Sequence, residues 1–286
     1  MSRLMVPKTY KLFIGGAFPR SESGRVYEVS SPSGDFLAIP ASASRKDARE
    51  AVRAARAAFA GWSSATSYNR GQVLYRIAEL MEGRRAQFVD EAVKLEGATP
   101  AQAALWVDEA IDQWVWYAGW ADKYAQVAGN ANPVSGPFFN ISVPEPTGVV
   151  GIIAPRDSGL RGLVRALAPV LVSGNTAVVV ASERFPLSAI TLSEVLATSD
   201  VPGGVVNVLT GSAREIAPWL ASHADVNALD LVGAGDLDWV ELQNAAAETL
   251  KRVMPPENGP DAAAPSLERV TFFMEIKTIW HTASLR

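Results

Sequence analysis

The stretch Gly148-Val149-Val150-Gly151-Ile152-Ile153-Ala154-Pro155 opens a series that continues through Asn175-Thr176-Ala177-Val178-Val179-Val180-Ala181, Val205-Val206-Asn207-Val208-Leu209 and Leu229-Asp230-Leu231-Val232-Gly233. These four short runs are almost wholly apolar and are separated by helix-length intervals. A strand with one face in water alternates polar and apolar residues, whereas a strand covered on both faces does not. The series therefore predicts an α/β fold built on a doubly wound, Rossmann-like parallel sheet.

On the N-terminal side, Lys11 to Gly16 and Val26 to Val29 predict a small antiparallel pair, followed by a turn at Pro32-Ser33-Gly34 and an extended path from Phe36 to Pro40. Ser44 stands three residues before Asp47, the spacing of a capping box. Behind it Ala48, Ala51, Val52, Ala55, Ala58 and Phe59 recur at helical spacing. Further amphipathic helices are predicted over 69–83 and 84–95, and one long helix over 100–128. That last segment carries Trp106, Trp114, Trp116 and Trp120. No basic stripe accompanies them, so they read as core or subunit contact and not as a base-stacking platform.

Phe138-Phe139-Asn140-Ile141-Ser142-Val143 alternates as a strand outside the parallel sheet. Residues 255–265 are rich in proline and glycine and predict an unstructured connection. Beyond them, residues 270–280 form a β-branched and aromatic run with no neighbour in sequence to pair with. That strand must return to an earlier strand or to another chain.

Composition narrows the function classes. The chain has 286 residues, 48% apolar and 20% charged, with a formal net charge of -4. A folded chain with a substantial core is implied, and the charge gives no electrostatic case for nucleic acid or an anionic membrane. No apolar run approaches the roughly 18 residues of a spanning helix, and the N-terminus lacks a signal-peptide layout, so a cytoplasmic location is expected. There is no cysteine, which removes disulfides, thiolate ligation and a cysteine nucleophile from these residues. With only His223 and His281, no histidine metal cluster is expected.

Several longer motifs resemble the aldehyde dehydrogenase superfamily. They are Phe13-Ile14-Gly15-Gly16, Ala51 to Phe59 with Trp62, Tyr117 to Lys123, Glu145 to Ile153, Leu167-Ala168-Pro169-Val170-Leu171-Val172-Ser173-Gly174-Asn175-Thr176, and Val201-Pro202-Gly203-Gly204-Val205-Val206-Asn207-Val208-Leu209-Thr210-Gly211. Together they cover about residues 10 to 253, and Glu275-Ile276-Lys277-Thr278-Ile279-Trp280 resembles the family's C-terminal assembly strand.

The departures from the family pattern set the functional expectation. The family holds the aldehyde on a cysteine thiolate, activates water with a glutamate and stabilises the oxyanion partly through an asparagine. The proline-tryptophan-asparagine run reads Pro155-Arg156-Asp157 here, and a carboxylate donates no N–H to an oxyanion. Glu257 lies near the register of the family glutamate, but beside Pro255 and Pro256. Asp157 and Glu257 are accordingly degenerate positions, and no catalytic residue is assigned. On the cofactor side, Val180 stands for a lysine and Ala181 for a proline, while Ser182, Glu183, Gly211 and Gly233 remain as weak cofactor-binding candidates. No cofactor, or weak NAD(P) binding, is expected, and no metal.

The resemblance implies a division into a Rossmann-like NAD(P)-binding-type domain (residues 1–130 and 148–254), a small antiparallel oligomerisation sheet (131–147 and 266–286) and a linker (255–265) that replaces a missing catalytic domain. It further suggests a truncated, cysteine-less homologue like the second, non-catalytic unit of tandem aldehyde dehydrogenases. The expected role is a structural or regulatory subunit. It would assemble as a homodimer, or with a full-length aldehyde dehydrogenase, through strands 138–143 and 272–280. NAD(P)-dependent aldehyde oxidation only within a complex, and nucleotide sensing, are the alternatives.

Overall fold

The computed structural model describes residues 6–257 and 264–283. The chain begins with β1 (Val29–Ser30) and β2 (Phe36–Ala38), then four helices: α1 (Arg45–Ser64), α2 (Ser67–Gly83), α3 (Arg85–Glu96) and α4 (Pro100–Trp120). α5 (Tyr124–Ala128), β3 (Asn130–Ala131) and β4 (Phe138–Pro146) lead into β5 (Val149–Ile153). Alternation follows through α6 (Leu160–Val172), β6 (Thr176–Val180), α7 (Leu187–Leu196), β7 (Val206–Leu209), α8 (Ala213–Ser222), β8 (Ala228–Asp230), α9 (Trp239–Ala247) and β9 (Arg252–Met254). α10 (Leu267–Phe272) and β10 (Met274–Thr282) close the chain.

The predicted parallel sheet is present, with strand order β7-β6-β5-β8-β9 and every pairing parallel. Its continuous apolar runs have a simple cause. Val149, Ile153, Val178 and Val180 pack on one face with α1 and α8 residues such as Val52 and Leu220. Val150, Ile152, Ala177 and Val179 point the other way, toward α6 and, beyond it, Trp114 of α4. Period-two alternation persists, but both faces are core, and each buried Val or Ile contributes roughly 1.5–3 kcal/mol.

The capping box holds: Ser44 accepts from Asp47 N, and the Asp47 side chain accepts from Ser44 N at 2.8 Å. The N-terminal antiparallel pair does not. Phe13 exchanges backbone hydrogen bonds with Val208 at 2.9 and 2.7 Å instead, and Val26 bridges Ala41. Asn207 fixes this arrangement by accepting from Gly15 N at 2.9 Å, so the N-terminal segment covers the open edge of β7.

The expected long helix is interrupted after Trp120. Ala121 N turns back to Ala118 O, and Lys123 Nζ takes the Gly119 carbonyl at 2.7 Å. β9 is an addition, because Arg252-Val253-Met254 is too short and too polar at its start to register as a strand by pattern. At the C-terminus the strand begins at Met274 and not at 270 or 272. Ser266 caps α10 by accepting from Arg269 N, and helix formation there buries Val270 and Arg269. The proline-rich connection falls partly at 258–263, outside the described residues, as do residues 1–5 and 284–286.

β10 pairs antiparallel with β4 over nine residues, from Met274 opposite Pro146 to Thr282 opposite Phe138, and the three-stranded sheet has the order β10-β4-β3. The strand predicted at 138–143 and the C-terminal strand thus meet as expected. Asn175 ties this ribbon to the core: its Nδ2 donates to Phe273 O at 2.8 Å while its Oδ1 accepts from Gly148 N at 2.7 Å.

Candidate functional site

In an open parallel sheet, ligands sit outside the carboxyl ends of the strands, where the strand order reverses. Here β5 leads outward to β6 and β7 on one side and is flanked by β8 on the other, so the reversal lies between β5 and β8. Asp157 follows β5, Ser182 and Glu183 follow β6, Gly211 follows β7 and Gly233 follows β8. The fold brings all five to one edge of the sheet.

Their chemistry there is largely spent on structure. The Ser182 hydroxyl donates to Arg156 O at 2.6 Å and accepts from Phe185 N at 3.0 Å, which pins the loop after β6 to the loop after β5. Gly211 has φ +117°, and a Cβ there would stand 3.0 Å from Ser42 Oγ. Gly233 donates its N–H to Ile153 O at 3.0 Å, and a Cβ would lie 2.0 Å from Ala154 O. Both glycines permit close backbone packing, and that space is filled by this chain itself. Glu183 is exposed and makes no hydrogen bond or ion pair among the described residues.

Tyr27, which sequence reasoning missed, belongs to this edge. Burial raises its phenol well above the ordinary value, the charge of Glu183 adds to the effect, and the Gly211 backbone acts in the opposite direction. Its hydroxyl is buried and, by hydrogen-bond geometry, has no partner among the described residues. No pattern singles out one tyrosine from a turn-rich N-terminal segment, so only the fold could place it.

Ion pairs cross the crevice. Arg156 does not pair with Asp157; it reaches Asp236, in the loop after β8, at 2.7 Å. Arg214 at the start of α8 donates to Asp236 O at 2.6 Å. Asp157 pairs with Arg184 at 2.9 Å, and both side chains are well exposed. The Ser182 hydroxyl and the Gly233 N–H are thus engaged by this chain itself, and among the described residues the Glu183 carboxylate has no such partner.

Glu257 follows β9 and joins a mostly buried cluster at the end of β8. It accepts from Arg165 of α6 and from Arg269 of α10, and Arg269 also donates to Asp230 Oδ2 at 2.6 Å. Asp230 is fully buried at the end of β8, and burial pushes its carboxyl up, against the pull of Arg269. A carboxylate held by two guanidiniums is poorly placed to abstract a proton. His223 ends α8, where Nδ1 accepts from Asp225 N at 3.0 Å and the ring meets Trp219 edge-on. That is the helix-end role its position suggests.

Among the described residues no group of three or more His, Cys, Asp or Glu side chains is placed to hold a metal ion, and no helix is long and apolar enough to cross a membrane.

The family model described as "Aldehyde dehydrogenase family" matches residues 18–262. Human retinal dehydrogenase 2 is 34% identical over 252 residues, which are 86% of this chain and 48% of that protein. The HpcC structure from Thermus thermophilus superposes with a TM-score of 0.80 at 30% identity, covering 87% of this chain and 48% of that one. The NAD+ complex of aldehyde dehydrogenase from Bacillus cereus gives a TM-score of 0.79 at 28% identity, covering 86% and 50%. This chain spans about half the length of the relatives it matches.

Two expectations are corrected by these matches. The chain is not set apart as a truncated, detached second unit of a tandem enzyme, because 86–87% of it follows the fold of ordinary aldehyde dehydrogenases. The fold class likewise loses the qualifier of a missing catalytic domain. The matches align the family fold itself with nearly all of this chain, and a difference in span is no sign of excision. With the Rossmann-like sheet, the small antiparallel sheet and residues 18–262 all in agreement, the chain belongs to the aldehyde dehydrogenase family.

Proposed function

We propose that this chain acts as a non-catalytic structural or regulatory member of its family, assembling with a second copy or with an active aldehyde dehydrogenase. The observation that carries this reading is the β4–β10 ribbon. Phe138, Phe139, Val143, Ile276 and Trp280 on it are each 37–58% exposed, and β10 is the edge of its sheet. An uncovered apolar edge promotes uncontrolled pairing, so a strand of this kind is retained where a partner covers it. Catalytic silence rests on chemistry: none of the 286 residues is cysteine, Asp157 is an exposed ion-pair partner, and Glu257 is held by two arginines. NAD(P)-dependent aldehyde oxidation is accordingly assigned only to a complex whose other member supplies the thiolate.

Native mass measurement of the protein taken from its own cells tests the reading. A dimer or a complex with a cysteine-containing dehydrogenase supports it; a lone monomer of 30.5 kDa contradicts it. A second reading, nucleotide sensing, is favoured by the free carboxylate of Glu183. Calorimetric titration with NAD and NADP separates the two, since saturable heats lost on Glu183→Ala support sensing and heats of dilution alone remove it.

A further inference from the structure

The charged side chains at the carboxyl ends of β8 and β9 are not equally tied down. Arg165, Arg269 and Asp230 are buried, with side chains 8%, 7% and 0% exposed, whereas the Glu257 side chain is 37% exposed. The backbone that carries Glu257 is held by little else. Pro255 and Pro256 have no N–H to donate, and residues 255–257 make no backbone hydrogen bond among the described residues. The Glu257 carboxylate is therefore the polar tie of this stretch, and it meets solvent.

Charge and geometry point the same way. Asp230 balances Arg269 at 2.6 Å, and Arg165 has no acidic partner other than Glu257 among the described residues. Without Glu257 one positive charge is left over in a mostly buried place, which is costly unless an anion takes it up. A guanidinium grips a carboxylate best through two parallel N–H···O bonds. Glu257 does not offer that to either arginine, because its Oε2 accepts from Arg165 Nη2 and its Oε1 from Arg269 Nη1. A carboxylate free of the chain is under no such constraint. Asp230 does not exclude it, since burial pushes the Asp230 carboxyl up, toward the neutral form, and a carboxylate already stands beside it.

We propose that Arg165 and Arg269 form a binding site for a small carboxylate from solution, with Glu257 as the chain's own occupant, which such a ligand displaces. The incoming group reaches the arginines through the solvent-facing side that Glu257 now fills. A neutral amide of the same shape supplies the acceptor oxygen without the counter-charge and so competes poorly. This site depends on neither the assembly role nor nucleotide binding.

Calorimetric titration of the full chain with acetate and with acetamide, at constant ionic strength, tests it. Glu257→Ala is expected to bind acetate saturably, at least about tenfold tighter than the unaltered chain does and at least about tenfold tighter than it binds acetamide. Glu257→Gln keeps the length of the side chain and removes its charge, and it should show the same preference where the alanine variant is too unstable to titrate. Adding Arg165→Met to either variant should weaken acetate binding by about tenfold or more. No saturable acetate binding to either Glu257 variant, equal affinity for acetate and acetamide, equal acetate affinity with and without Glu257, or binding unchanged by Arg165→Met overturns the proposal.

Discussion

The two β structures of this molecule are built on opposite terms. In β5 and β6 all ten residues are buried, whereas in β10 only Met274 is, and Ile276 and Trp280 stand 54% and 58% exposed. Both contain β-branched and aromatic residues, so composition does not separate them. What separates them is cover: the sheet has helices on both faces, and the ribbon has one paired edge and little else. A two- or three-stranded ribbon of this kind holds its shape because it is tied to a stable body, here through Asn175 and through the Arg269–Asp230 pair.

The contrast can be broken most forcefully at that second tie. Asp230→Ala leaves the Arg269 guanidinium buried with Glu257 as its remaining carboxylate partner, and should cost about 3–5 kcal/mol. The denaturant midpoint measures this; a loss below about 1 kcal/mol would show that the pair is expendable. In the sealed sheet, Ile152→Ala should cost about 2–5 kcal/mol by removing side-chain volume from a site with no solvent access. On the ribbon, Ile276→Lys should change monomer stability by no more than about 0.5 kcal/mol, because the replaced side chain already faces water. The same substitution should abolish assembly, which separates a partner surface from a folding surface.

A smaller effect concerns pH. Burial lowers the His223 imidazole below its ordinary value of 6.5. The unfolded chain then binds this proton more readily than the folded one, so the contribution is intact above 6.5 and declines as pH falls through it. His223→Gln should remove that part of the slope in a series of melts from pH 7 to about pH 5, and an unaltered slope would assign it to other groups.

Much of the sealed region was readable because its signals are local and redundant. Runs such as Thr176 to Val180 have no charged residue to mislead, and Ser44 with Asp47 announces a helix start within four residues. The edge positions were less legible. Phe13 pairs with Val208 and not with its neighbours in sequence, a choice supported by the Asn207 side chain, which reaches Gly15 from 192 residues away. Residues Val270 to Phe272 read as strand by composition, yet burial of Val270 and the reach of Arg269 to Asp230 favour a helix from Leu267 to Phe272. At the candidate site, sequence located the loops that follow the strands but not the partners of their side chains. That Arg156 would meet Asp236, that Glu257 would be shared by Arg165 and Arg269, and that Tyr27 would stand beside Glu183 and Gly211 all depend on long-range placement.

The assembly role depends on whether the ribbon is covered. Hydrogen exchange of β10, followed from dilute to concentrated protein, reads this at the amides that point away from β4. Slow exchange of those amides at high concentration, lost on dilution and in Ile276→Lys, is the predicted result. Fast exchange at every concentration, with the chain a monomer throughout and no partner recovered from its own cells, would contradict it.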